Sequence, residues 1–177
     1  MSIHRTLASV ATACATAVGL MLVAPAPASA DVASGDYRIA FEGHGAEMVP
    51  LNGSPDRIDL RAWPHEHVGM DWGIEQVGYS SGMPTYEIYN LRSNNLCMQP
   101  KDGRTAVDQR VEQAPCSGRP KQRWHIPSVE GNAHHIVPVQ NTDLGVTLEA
   151  PNSTGSFLEL GYRSFGDPDF RWHFNRF

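Results

Sequence analysis

The chain has 177 residues, with 14 Lys and Arg against 19 Asp and Glu, a formal net charge of −5, and no long run of either sign. A mildly acidic chain of this kind argues against nucleic acid or an anionic lipid surface as its main partner. After residue 30 no stretch is apolar for long enough to span a bilayer as a helix.

Residues 1–30 read as a secretory leader. Arg5 gives a short basic start, Thr6 to Ala24 is apolar and small without any acid, and the segment closes on Ala-Pro-Ala-Ser-Ala. Ala28 and Ala30 satisfy the small-x-small rule of signal peptidase, so cleavage is predicted after Ala30, leaving Asp31 as the first residue of a secreted, extracellular protein. Cys14 lies inside the apolar run rather than at its end, which is the wrong place for a lipid-acceptor cysteine. The competing reading, an uncleaved anchor, is disfavoured by the cleavage signature that follows the run at once. Residues 31–177 then make one domain, large enough to bury a core of its own. They keep two cysteines, Cys97 and Cys116, and an even pair in an exported chain predicts one disulfide.

Along residues 31–177 no window carries the three-turn apolar periodicity of a helix free of Gly and Pro. Short alternating segments recur instead: Tyr37–Phe41, Tyr86–Tyr89, Ile136–Val139 and Phe157–Leu160. Turn dipeptides separate them, among them Asn52-Gly53, Asp102-Gly103, Gly131-Asn132 and Pro151-Asn152. The prediction is an all-β chain of short strands.

The stronger signal is repetition. Trp72, Trp124 and Trp172 stand 52 and 48 residues apart, each followed two residues later by Ile or Phe. Matching strand starts at Tyr37, Tyr86 and His135 precede them by 35, 38 and 37 residues. Between start and tryptophan lies a second alternating segment, at Ile58–Leu60, Val111–Gln113 and Leu158–Leu160 in turn. Three units, at 36–83, 84–130 and 131–177, fill the chain after the leader. A unit of that size cannot bury its own apolar face, so the three are expected to pack around a shared axis.

Gln122-Arg123-Trp124 has the Gln-x-Trp motif of ricin B-type lectins, and Cys97 and Cys116 lie upstream of it as the cysteine pair of one such repeat does. Asn94-Asn95-Leu96-Cys97-Met98 resembles the segment that in that family reads Gly-Lys-Cys-Leu-Asp. The resemblance is good in the middle repeat, fair in the third and poor in the first. It implies a β-trefoil: twelve strands, a six-stranded barrel closed by three hairpins, and pseudo-threefold symmetry. It also implies that Trp72, Trp124 and Trp172 are core residues. Closure without a free sheet edge suits a monomer.

In that family each repeat holds a sugar in a shallow pocket. An Asp accepts from hydroxyls, an aromatic on the next hairpin stacks on the sugar face, and an Asn-Gln pair begins the tryptophan motif. Hydroxyl pairs call for charged or amide partners, and the ring's apolar face calls for a flat surface. Carried onto this sequence, the middle repeat has Gln99, Ala114 and Lys121-Gln122 at those positions. The third has Glu149, Gly161 with Tyr162 beside it, and Asp169-Phe170, while the first falls near Pro50, Arg61, Met70 and Asp71. The candidate carbohydrate-binding residues are therefore Gln99, Gln122, Glu149 and Tyr162, with the first repeat bare. The expected activity is weak or altered glycan binding.

Other constellations say less. His65-Glu66-His67 could put two imidazoles on one face of a strand, but the sequence offers no third ligand, so no metal is expected. His134 and His135 would face opposite sides of a strand. Asn152-Ser153-Thr154 fits the glycosylation sequon and equally a turn. Asp167 and Asp169 are acids of an ordinary loop, and no nucleophile elbow, Cys-x-x-Cys or phosphate loop occurs, so no catalytic residue and no cofactor is assigned. The first functional expectation is a non-catalytic carbohydrate-binding module. The alternative is a β-trefoil protease inhibitor that inserts a basic surface residue, Arg61, Arg104 or Arg119, into an extracellular protease.

Overall fold

A computed structural model describes residues 31–64, 68–93 and 96–177. The predicted leader at residues 1–30, the His65-Glu66-His67 cluster and Asn94-Asn95 lie outside the described residues. Thirteen strands occur among the described residues: β1 (Gly35–Phe41), β2 (Glu47–Pro50), β3 (Ile58–Trp63), β4 (Asp71–Ser80), β5 (Met83–Asn90), β6 (Leu96–Pro100) and β7 (Gln109–Pro115) come first. They are followed by β8 (Trp124–His125), β9 (Ala133–His134), β10 (Val137–Pro138), β11 (Leu144–Leu148), β12 (Leu158–Tyr162) and β13 (Trp172–Arg176). The only helical pieces among these residues are four single 3-10 turns, as the lack of helical periodicity predicts.

The ladders close on themselves. β1 pairs with β4, β4 with β5, β5 with β8, β8 with β10, β9 with β13, and β13 with β1. These form a six-stranded barrel in which β9 and β10 act as one interrupted strand, first against β13 and then against β8. That interruption turns the expected twelve strands into thirteen, and it shortens the strand foreseen at Ile136–Val139 to Val137–Pro138. The hairpins β2–β3, β6–β7 and β11–β12 form the cap: β3 pairs with β7, β7 with β12, and an Arg61–Phe157 bridge joins β3 to the residue just before β12. The result is a β-trefoil. At the tips of the first two hairpins, Asn52-Gly53 and Asp102-Gly103 all take positive φ, between 57° and 72°, the conformation that Asn-Gly and Asp-Gly adopt at low cost.

The threefold relation is plainest at the tryptophans. Each is fully buried. The Trp72 indole N–H donates to the Met48 carbonyl at 2.8 Å, that of Trp124 to Met98 at 3.0 Å, and that of Trp172 to Val146 at 2.9 Å. A buried indole N–H needs an acceptor, so one bond made three times pins each repeat's hairpin to its own barrel strand. Around the axis Leu60, Val111 and Leu158 are fully buried together with Ile39, Ile88 and Ile136, supplied by the alternating segments read from the sequence. A disulfide joins Cys97 in β6 to Cys116 just beyond β7.

Candidate functional site

The indole bonds define equivalent positions, because Met48, Met98 and Val146 play one role in three repeats. The residues that follow them, at the position of the family's Asp, are Val49, Gln99 and Thr147. The strand partners of the preceding residues, at the position of the family's aromatic, are Trp63, Ala114 and Gly161. The middle repeat thus keeps the register expected from sequence. The third does not: the equivalent residue is Thr147, and Glu149 lies two residues further along. In the first repeat Val49 and Trp63 replace Pro50 and Arg61.

In the middle repeat Gln99 and Gln122 do come together. Gln122 Nε2 donates to Gln99 Oε1 at 2.9 Å and to the Pro115 carbonyl at 2.9 Å, while its Oε1 accepts from the Ser117 N–H and hydroxyl. Gln99 Nε2 donates at 2.7 Å to the buried Glu112 carboxylate, which also accepts from Arg57 and the Asp102 N–H. Both glutamines are fully buried, so these bonds satisfy amides that water does not reach. Bonding to Glu112 also raises the Arg57 pKa.

In the third repeat the buried Phe170 ring occupies the corresponding space. A Cβ on Gly145 or Gly161 would lie 3.0 and 3.1 Å from that ring, which accounts for glycine at both positions. Thr147 spends its hydroxyl on the Asp169 carbonyl at 2.6 Å. In the first repeat Val49 and Met70 are buried, and Trp63 carries the Arg61 guanidinium at 4.0 Å over its ring. Arg61 is therefore half-buried rather than the free surface cation expected, whereas Arg104 and Arg119 are exposed.

Glu149 and Tyr162 are not brought together. Tyr162 pairs with Leu144, at the opposite end of the β11–β12 hairpin from Glu149, and five residues of strand separate them by about 17 Å. Glu149 meets Arg110 at 3.2 Å on the surface. Tyr162 is 74% exposed and faces a different set of groups. With Thr142, Asp143, Arg163 and Phe165 it lines an open depression of about 400 Å³. Phe165 is 81% exposed. Arg163 Nε donates to the Thr142 carbonyl at 2.9 Å, which fixes the guanidinium along one wall. Two uncovered rings beside a carboxylate and a guanidinium can stack on a flat apolar face and bond hydroxyls at its edge. Of the residues that line this depression only Tyr162 is among the candidates named from the sequence; Phe165 and Asp143 are not. The Phe165-Gly166 pair, an aromatic beside a loop glycine, was the available signal.

Among the described residues no cluster of three His, Cys, Asp or Glu could hold a metal. His134 and His135 are not a chelating pair: His135 is fully buried and His134 packs edge-on against Phe174. Asn152-Ser153-Thr154 is an exposed turn between β11 and β12.

Several solved structures share this fold. The chain superposes on the designed threefold-symmetric protein ThreeFoil with a TM-score of 0.71 at 17% identity, over 81% of this chain and 99% of that one. It matches the Macrolepiota procera ricin B-like lectin, solved with lactose, at 0.66 and 19% identity over 83% and 99% of the two chains. It also covers 30% of an exo-beta-1,3-galactanase from Clostridium thermocellum, with a TM-score of 0.71 at 16% identity over 81% of this chain. No curated protein matches the sequence. Residues 70–167, more than half of the chain, match the ricin-type beta-trefoil lectin domain-like family, and the chain belongs to that family.

Proposed function

We propose that the mature chain is a secreted, non-catalytic carbohydrate-binding module with one altered glycan site, on the third repeat at Tyr162, Phe165 and Asp143. The observation that carries this reading is the pair of uncovered rings at Tyr162 and Phe165 beside an acid and a guanidinium. The positions that bind sugar elsewhere in the family are filled here by the protein's own side chains: Val49 and Met70, Gln99 with Gln122, and Thr147 with Phe170. A single shallow site predicts weak binding, with no second repeat to add avidity. Export is supported by the apolar leader with its Ala28-Ser29-Ala30 site and by the disulfide. The closed barrel, which leaves none of its strands as a bare edge, supports a monomer.

Retention of the protein on polysaccharide resins, followed by a glycan array, tests the reading. Binding that falls at least about tenfold in both Tyr162→Ala and Phe165→Ala supports it. Binding insensitive to both places the ligand elsewhere. Absence of any glycan binding, with stoichiometric inhibition of a trypsin-like or subtilisin-like protease, would replace it with the inhibitor reading and direct attention to Arg104 and Arg119.

A further inference from the structure

The threefold symmetry is broken most strongly where the first repeat passes into the second. There β4 and β5 continue as a ladder to Ser80 opposite Met83, with a bulge between Gln76 and Gly78. At the next junction β8 is only two residues long and has no such extension. The long hairpin forms one wall of a cavity of about 380 Å³, and Ile126 and Pro127 form the other. Tyr86 and His125, both buried, make the floor, while Tyr79, at 71% exposed, and Met83 stand at the rim.

The lining is mostly apolar, with two phenol rings, two prolines, a thioether and an isoleucine, and Asp31 adds a single carboxylate at its edge. Such a lining suits an aromatic ring. The floor contributes one specific group. The Tyr86 hydroxyl has no hydrogen-bond partner among the described residues, although the side chain is buried. The His125 Nδ1 contacts the Pro84 carbonyl at 2.8 Å, which holds the imidazole in place beneath the hairpin. Buried polar groups without partners are uncommon, and one lining a cavity is where a ligand gains most by supplying the missing bond.

We propose that this cavity is a second binding site, independent of the glycan site, for a small neutral aromatic molecule carrying a carbonyl acceptor, which takes the proton of the Tyr86 hydroxyl in a hydrogen bond. Burial, with the Asp31 carboxylate nearby, holds the Tyr86 phenol up at about 12, so it remains a donor across the physiological range. The hydroxyl is itself closed to solvent, so a ligand reaches it as lining side chains shift, among them the exposed Tyr79 and Met83, a motion that surface side chains make readily.

Two probes with the same carbon skeleton isolate the bond. Acetophenone carries the acceptor and ethylbenzene does not. Titrations followed by NMR on the purified chain are expected to show acetophenone binding about tenfold more tightly than ethylbenzene, with shifts confined to the lining residues Asp31, Tyr79, Gly82–Tyr86 and His125–Pro127. In Tyr86→Phe, which keeps the ring, the preference should vanish while ethylbenzene affinity is unchanged. Should that variant fail to fold, the location of the wild-type shifts and the acetophenone preference still decide. No binding of either probe, shifts away from those lining residues, or a preference that survives Tyr86→Phe would overturn the proposal.

Discussion

The side-chain amide of Gln122 donates to the side-chain oxygen of Gln99 at 2.9 Å, and neither residue reaches solvent. What a sequence comparison offers as a remnant of a sugar site is an internal hydrogen-bond chain that runs on through Glu112 to Arg57 at the surface. Replacing Gln122 by Ala is expected to cost about 1–3 kcal/mol, by leaving Gln99 and the Ser117 N–H short of partners. The same variant should leave glycan binding unchanged. Chemical denaturation read beside a glycan titration checks both, and lost binding in a fully folded Gln122→Ala would return the site to the middle repeat.

Trp124→Ala removes a fully buried indole together with its bond to Met98. Large-to-small changes of this kind cost about 3–5 kcal/mol, a large part of the stability of a domain this size. Trp72→Ala and Trp172→Ala should cost comparable amounts, since the three sites are equivalent. A cost under about 1 kcal/mol in urea melts would contradict the core assignment.

The Cys97–Cys116 bond closes a loop with a sequence separation of 19. In the chain-entropy model a loop of that size contributes about 3 kcal/mol. Reduction should lower the unfolding midpoint accordingly, and iodoacetamide without reductant should label neither thiol.

His135 makes stability depend on pH. Burial, followed by the charges of Arg163 and Arg171, holds its imidazole down at about 4, from 6.5. The folded protein therefore keeps His135 neutral where the unfolded chain takes a proton. Its contribution is complete above pH 6.5 and is lost as the pH falls from 6.5 to 4, a change of about 3 kcal/mol. Neither ring nitrogen has a hydrogen-bond partner among the described residues, so His135→Leu should fold and lose much of this slope. Urea midpoints at pH 7, 5.5 and 4.5 for both proteins test it. A slope unchanged in the variant would assign the pH dependence to other groups.

The proposed cleavage after Ala30 makes Asp31 the expected first residue of protein recovered from the medium of an exporting host. Amino-terminal sequencing that returns Met1 would reject export by this route.

The barrel was legible in the sequence because its determinants are periodic. Alternation with period two marks strands, and three tryptophans in like surroundings mark three like units. The register of the third repeat is not legible locally: the carboxylate draws the alignment to Glu149, whereas the Trp172 bond to Val146, a contact between residues 26 apart, sets Thr147 at that position. Trp63 was passed over in the same way, because only the pairing of Glu47 with Trp63 shows that it answers to Ala114. The cavity over Tyr86 left no motif at all. It arises from the length of one hairpin and the loop that faces it, and strand length past the barrel is decided by pairing rather than by any residue type.

The antiparallel ladder of β1 with β13 sets Tyr37 opposite Arg176 and brings the Phe177 N–H to within 3.5 Å of the Asp36 carbonyl. Early and late parts of the polypeptide are thus neighbours in a ring of strands that has no preferred starting point. A circularly permuted chain, joined there by a short linker and reopened at the exposed Ser81-Gly82 turn, would keep every barrel ladder intact. Its order of synthesis would then begin with the second repeat, so the barrel would be completed by the first repeat instead of the third, while the finished molecule stayed the same.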